Sequence, residues 1–455
     1  MWRSLFELRS LLLLIAVWVA VALLLPPLLY AVLPISVFLL YRAERWQELF
    51  LGFLICLILS DMNQDITGML VMKTAKYTYI VALSIILLME RQQLQPFARI
   101  FPLFLPFFLF CLFPILRSPV PVLSAEKTLS YALIFFVVPN MVLANYRRSG
   151  WDFFRNLIWF ILLVLTAQKL MPWVAPEWWS FIGERFRGLF GNPNGLAIFT
   201  YLTFVLFAVI NHLRPDLFST PAKVFIYAVL VYYVITCGAR TSLMSTLMFV
   251  LFVPFFRFSF FLGLISFFAF LGISELLATN LPAILTTLGL QDYMRVDTLQ
   301  SGSGRYFAWQ YAWEKIQQTG IFLFGAGFEY EGWVMYQGRN VLERLGHQGG
   351  VHNSYLAFWL NTGITGLFLF FRGIALVFIK ATKNTAVSMA ILFSVLFSIL
   401  YESWLAGSLN PYTILFLVIL TIISEEEIIG EIPAEEPPSP VGAAATPTPL
   451  VLPAR

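Results

Sequence analysis

The chain has 455 residues, of which 59% are hydrophobic and only 12% are charged, and its mean hydropathy is +0.80. Soluble domains carry about a quarter charged residues, so this composition excludes a water-soluble fold and predicts an all-α protein with many membrane spans. The net charge of +4 does not indicate a nucleic-acid partner. Cys56, Cys111 and Cys237 lie in or beside apolar runs without paired spacing, which favours small buried hydrophobes over disulfides or a metal site.

Apolar runs follow one another from the N-terminus to residue 423. The first, in "MWRSLFELRSLLLLIAVWVA", has no small-residue cleavage site and continues into more apolar sequence, so we interpret it as a retained span. Several runs are shorter than the roughly 20 residues that a span needs. The two runs within 11–41, and the two runs beside Arg240, each form either two spans or one broken element. We therefore expect a transmembrane helix bundle of about 12 spans, with about 14 as the upper count.

One long polar segment, at about 280–351, interrupts the apolar runs, and we expect it to form a large loop that contains helices. We predict a transmembrane domain over 1–424 and a disordered tail over 425–455, which is rich in Glu, Pro and Ala. With a cytoplasmic N-terminus, most basic residues of the short loops share the cytoplasmic face, as the positive-inside rule requires. Counting the spans from this N-terminus places the tail in the cytoplasm and the long loop on the outer face.

Arginines on the outer face oppose this charge bias and need another explanation. In "ERFRGLFGNPNGLA" (184–197), Arg185 and Arg187 precede a turn, and Asn194 is placed to cap the helix that follows. Backbone N–H groups at a helix start and paired arginine donors both favour a phosphate. The alternative is an interfacial turn with snorkelling arginines.

Two further arginines lie in outer-face motifs. Arg240, in "TCGARTSLMS" (236–245), is an ionisable residue between short apolar runs and is therefore a candidate site residue; a snorkelling arginine is the alternative. Arg305 opens "RYFAWQYAWEKI", whose apolar residues occupy more than one face, so this helix is predicted to lie on the membrane surface or pack on the bundle. The following "GAGFEYEG" has no nucleotide-binding spacing.

His352 directly precedes an apolar helix in "VHNSYLAFWL", with Asn353 or Ser354 as the predicted N-cap. A helix N-terminus favours neutral imidazole, the form that a general base requires. The alternative is a polar interfacial histidine with a capping role. His347 is predicted to be a plain loop residue, and two histidines without paired carboxylates do not indicate a metal site. Glu402, in "YESWLAGSLNPYT", is expected to line the same cavity and pair with an arginine.

Taken in order over about 180–370, "RGLFGNPNGLA", "GARTS", "SGSGRYFAWQYAWEKI" with "GAGF", and "HNSYLAFWLNTGITGL" resemble the O-antigen ligase and O-antigen polymerase family of bacterial membrane glycosyltransferases. The resemblance, borne by a core of about 180–423, implies a multi-pass inner-membrane enzyme with its site on the periplasmic face and no metal or other cofactor. It implies an undecaprenyl-diphosphate-linked glycan as donor, the lipid A core or a glycan as acceptor, and contact with membrane lipids. It also implies that Arg187 or Arg185, together with Arg305, binds the donor diphosphate and that His352 activates the acceptor hydroxyl.

The chemistry of the residues agrees with this interpretation. Sugar transfer from a polyprenyl diphosphate builds negative charge on the leaving group, which a divalent metal or arginines can offset. Asp292 and Asp297 are isolated carboxylates in the sequence, so the outer face has no paired carboxylates for a metal. A repeat-unit polymerase or a protein glycosyltransferase of the same family is an alternative. A flippase or other transporter is less favoured, because the charged residues gather at one face and no internal repeat is apparent.

Overall fold

The computed structural model describes residues 9–62, 69–174, 176–287, 304–347, 349–381 and 385–430. These ranges are mostly helical, and their only strands are the antiparallel two-residue pair β1 (Phe181–Ile182) and β2 (Arg185–Phe186). The prediction of an all-α class is confirmed for this part of the chain. Asp292 and Asp297 lie outside the described residues.

The helices before the strand pair are α1 (Arg9–Leu24), α2 (Leu29–Arg42), α3 (Trp46–Asp61), α4 (Met72–Met89), α5 (Ile100–Ile115), α6 (Pro121–Ser149), α7 (Asp152–Ala167), α8 (Met171–Val174) and α9 (Glu177–Ser180). Those after it are α10 (Pro193–Leu213), α11 (Thr220–Thr236), α12 (Arg240–Phe258), α13 (Phe260–Thr287), α14 (Arg305–Gln318), α15 (Tyr330–Arg344), α16 (Ser354–Lys380), α17 (Thr385–Tyr401), α18 (Pro411–Ser424) and α19 (Glu426–Ile429). Short 3-10 turns occur at Pro26–Leu28, Met69–Val71, Gln168–Leu170, Pro215–Leu217 and Trp404–Ala406.

Six helical segments are long and apolar enough to cross a membrane: Met69–Met89, Pro121–Ser149, Asp152–Trp173, Pro193–Leu213, Arg240–Phe258 and Ser354–Lys380. Seven shorter apolar helices, of 10–17 residues, accompany them in the described part of the chain. Both doubtful pairs of apolar runs form two helices each: α1 and α2 are joined by a 3-10 turn, and three residues separate the end of α11 from Arg240 at the start of α12. These are the helices of a membrane protein, and the count of about 12 to 14 spans stays a prediction.

The most enclosed helices are α3, α10 and α18. Every residue of α18 is buried, as are nearly all residues of α3 and α10. Two buried hydroxyl side chains of α10 bond to the backbone of their own helix: Thr200 and Thr203 donate to carbonyls one turn earlier, each at 2.8 Å. Such internal bonding allows hydroxyl side chains to be buried among apolar neighbours without loss of hydrogen bonds.

A break within α16 joins the large loop to the bundle. Gly363 has φ 66° and ψ −179°, and the docking segment (residues 321–327) pairs with the helix there. The Gly327 N–H donates to the Asn361 carbonyl at 2.7 Å, and the Ile364 N–H donates to the Phe322 carbonyl at 2.9 Å. A Cβ atom at residue 363 would overlap the Leu323 carbonyl, so glycine is required by both backbone conformation and space.

The first residues of the predicted tail are folded. The Glu425 carboxylate accepts the Arg99 N–H at 2.7 Å, and Glu426 lies 2.9 Å from the Arg99 guanidinium. Glu427 pairs with Arg147 at 2.8 Å. The prediction that disorder begins at residue 425 is therefore wrong, because these acidic residues meet arginines at one end of the bundle. Residues 431–455 lie outside the described residues.

Candidate functional site

A cavity of about 860 Å³ opens where the strand pair and the starts of α10, α12, α14 and α16 meet. Its polar lining includes charged or titratable side chains from several segments of the chain: Lys169, Glu184, Arg185, Arg240, Arg305, His347, His352 and Glu402. Several helix starts converge on this region, and the partial positive charge at a helix N-terminus favours an anion. The cavity is large enough for a small-molecule headgroup.

The Glu402 carboxylate, just after α17, connects the polar residues of the cavity. Its Oε1 accepts hydrogen bonds from Arg305 Nη2 at 2.7 Å and from Asn194 Nδ2 at 3.2 Å. Its Oε2 lies 3.5 Å from His352 Nδ1. Burial by itself raises the pKa of Glu402, but the contact with His352 and the charge of Arg305 outweigh burial and leave the pKa below the ordinary glutamate value. Glu402 is therefore a buried carboxylate at neutral pH, paired with an arginine as the sequence suggested.

Asn194 joins Arg185 to Glu402. Its Oδ1 accepts from Arg185 Nη2 while its Nδ2 donates to Glu402, and Arg185 Nε also donates to the Cys237 carbonyl at 2.8 Å. The prediction that Asn194 caps the helix is wrong, because Asn192 is the N-cap and accepts the Gly195 N–H at 2.8 Å. With Pro193 as the first helical residue, the cap falls one position before the proline.

Arg187 lies outside the cavity, although the sequence placed it beside Arg185 as a diphosphate ligand. It is 2% exposed, and its nitrogens donate to the carbonyls of Trp178, Trp179 and Gly191 at 2.7, 2.9 and 3.3 Å. Burial lowers the pKa of its guanidinium. Arg187 therefore holds the loop before α10 together, and Arg185 is the member of the pair that lines the cavity.

Arg240 and Arg305 approach the cavity from the starts of α12 and α14. Arg305 Nη1 lies 3.5 Å from Oγ1 of Thr241, the residue after Arg240. Sequence reasoning missed Lys169, whose Nζ lies 4.3 Å from the ring centre of Phe186 in the cavity wall. The three arginines and this lysine outnumber the two carboxylates of the lining, Glu184 and Glu402, so the lining carries net positive charge.

Both histidines of the loop line the cavity. His352 adopts φ 46°, and Asn353 caps α16 by accepting the Leu356 N–H at 3.0 Å, so the predicted helix start is confirmed. His347 is no plain loop residue: it is 2% exposed and its ring centre lies 5.7 Å from that of His352. Its Nε2 donates to the Gly350 carbonyl at 3.0 Å, and burial lowers its pKa. In the sequence, the nearby pair of glycines was the only local indication that His347 lies at the site.

Among the described residues, no group of three or more His, Cys, Asp or Glu side chains is arranged to hold a metal ion. Comparison with protein-family models, curated proteins and solved structures gives no match for this chain.

Proposed function

We propose that this chain is a membrane-embedded, metal-independent, inverting glycosyltransferase of the O-antigen ligase type. It moves a glycan from an undecaprenyl-diphosphate donor to the lipid A core or another glycan, on the periplasmic face of the bacterial inner membrane. The observation that carries the proposal is the Glu402 carboxylate, which lies 2.7 Å from Arg305 and 3.5 Å from His352. One buried carboxylate thus links the residues that the family resemblance associates with donor and acceptor.

The arginines suit the donor side of this reaction. Arg185, Arg240 and Arg305 line one cavity and present planar groups of N–H donors, which match phosphate oxygens two at a time. Negative charge grows on the diphosphate as its bond to the sugar breaks. Fixed cations in a partly enclosed cavity stabilise that charge more strongly than water does, because they need no reorganisation.

His352 suits the acceptor side. With Nδ1 facing the Glu402 carboxylate, the imidazole is oriented to carry its proton on Nδ1 and to accept a proton at Nε2. A Cβ atom at residue 349 would lie 3.3 Å from Nε2, so glycine there leaves room for an acceptor. The acceptor oxygen attacks the anomeric carbon, its proton passes to Nε2, and the electron pair of the broken bond leaves with the diphosphate. Attack opposite the leaving group inverts the anomeric carbon.

The two ends of α18 support the proposed orientation. The 3-10 turn before this helix follows Glu402 and the cavity, whereas its far end leads to the ion pairs of Glu426 with Arg99 and Glu427 with Arg147. Fourteen helical residues span about 21 Å, so the cavity and these arginines lie at opposite ends of the bundle. The positive-inside rule assigns the end that carries Arg99 and Arg147 to the cytoplasm.

The test is transfer of a lipid-linked glycan in membranes that contain His352→Ala. We expect the rate to fall about 10²- to 10⁴-fold, the usual contribution of a general base, with normal abundance in the membrane. His212→Ala is the matched control, because His212 lies in the last turn of α10 and does not line the cavity. Normal transfer by His352→Ala would refute the proposal. In a deletion strain, unattached long glycans indicate a ligase, and single repeat units on the acceptor indicate a polymerase.

A further inference from the structure

Two side chains of the large loop hold the backbone immediately before His352. Glu331 Oε1, from α15, accepts the Val351 N–H at 2.8 Å, and Trp309 Nε1, from α14, donates to the Val351 carbonyl at 2.9 Å. Val351 is fully buried, so water does not replace either partner. Both backbone polar groups of this residue therefore depend on side chains from two different helices.

The hydrogen bonds from Glu331 and Trp309 to Val351, here called the Val351 clamp, immediately precede a residue with an unfavourable backbone conformation. His352 has φ 46°, in the left-handed region that side chains with a Cβ disfavour, and such a conformation persists only where neighbouring contacts impose it. Asn353, on the other side, is held by its capping bond to Leu356. His352 is therefore fixed at both neighbours, upstream by the Val351 clamp and downstream by the start of α16.

The clamping side chains are themselves anchored. The Glu331 N–H donates to Asn361 Oδ1 in α16 at 2.9 Å, next to the docking segment. Burial raises the pKa of the Glu331 carboxyl group, and either protonation state retains an oxygen that can accept the Val351 N–H. Trp309 lies one helical turn after Arg305, and its ring centre is 6.0 Å from that of Tyr401. The helix that carries Arg305 thus also holds the segment that carries His352.

We propose that Glu331 and Trp309 are positioning residues that hold His352 in the orientation in which it accepts the proton of the acceptor hydroxyl. The proposal rests on the function proposed above. Neither side chain lines the cavity, and the hydrogen bonds of both to the Val351 backbone connect them to His352. Displacing a catalytic group by about 1 Å lowers a rate by about 100-fold, which sets the scale of the effect.

The decisive variants are Trp309→Phe, which removes the indole N–H and keeps an aromatic ring, and the pair Glu331→Leu and Glu331→Gln. We expect Trp309→Phe and Glu331→Leu to lower kcat about 10- to 100-fold, with the donor KM unchanged and an altered acid limb of the pH–rate profile. Glu331→Gln should retain kcat within about 3-fold, because its amide oxygen still accepts the Val351 N–H.

Two substitutions on the same helices serve as controls: Trp313→Phe on α14, at a side chain 37% exposed, and Glu343→Leu on α15, at one 47% exposed. Both should transfer normally. If Trp309→Phe accumulates normally and keeps wild-type kcat, the positioning role is refuted, even where Glu331→Leu fails to fold. If Trp309→Phe keeps wild-type kcat while His352→Ala loses transfer, the positioning role is refuted and the proposed function is not. Normal transfer by His352→Ala removes the proposed function and the positioning role together.

Discussion

Glu402→Gln tests the link between the donor and acceptor sides of the cavity. Glutamine keeps the shape of the side chain and removes its charge. Its amide oxygen still accepts from Arg305 or Asn194, but its NH₂ group then faces His352 Nδ1, which carboxylate oxygen approaches at 3.5 Å in the native protein. An amide donor at this place favours the tautomer with the proton on Nε2, which is the wrong one for a base that accepts at Nε2.

The expected loss follows from the contacts. A general base contributes about 10²- to 10⁴-fold, and the 3.5 Å separation indicates partial rather than complete control of the tautomer. The buried charge pair between Arg305 and Glu402, at 2.7 Å, is lost at the same time. We therefore expect kcat/KM to fall about 10²- to 10³-fold, or about 3–4 kcal/mol of transition-state stabilisation.

The assay measures glycan transfer by purified protein in lipid vesicles, with Glu402→Asp as the variant that retains charge and should recover part of the rate. Thermal denaturation against pH gives a second measurement. Because the folded pKa of Glu402 is depressed, its contribution to stability is present above the ordinary glutamate pKa of about 4.3 and is lost as pH falls through the folded value. Glu402→Gln should lack this part of the pH dependence. A variant within about 3-fold of the wild-type kcat/KM would refute the coupling argument.

Two further pairs of substitutions test the roles of Arg187 and Gly363. Arg187→Ala should lower the free energy of unfolding by about 2–4 kcal/mol, measured by denaturation in detergent, because buried carbonyls lose their donors. Arg185→Ala should fold normally and bind donor weakly. If instead Arg187→Ala binds donor weakly and Arg185→Ala binds it normally, Arg187 is the diphosphate ligand. Gly363→Ala should destabilise the protein by about 1–3 kcal/mol and speed proteolysis of the large loop, because its Cβ overlaps the docking segment. Gly272→Ala, with open space around it, is the control, and equal proteolysis of both variants would contradict the docking role.

Local pattern was sufficient for part of the site. Apolar composition determined the helical class, and the polar residues after His352 predicted a helix start with Asn353 or Ser354 as its cap, of which Asn353 is the cap in the structure. These features depend on neighbouring residues and backbone dihedral angles, which a short stretch of sequence encodes. The same local rule failed at Asn194, where the proline moved the cap to Asn192.

Tertiary packing decided the rest. Arg185 and Arg187 are equivalent by sequence, and only the loop around Gly191 determines which guanidinium is buried against carbonyls and which reaches the cavity. Glu402 meets Asn194 across 208 residues and Arg305 across 97 residues, and no local pattern encodes contacts at such separations. The surroundings of His352 likewise come from helices distant in the chain. Sequence alone placed the imidazole at a helix start, while the packing of those helices determined its orientation and its partners.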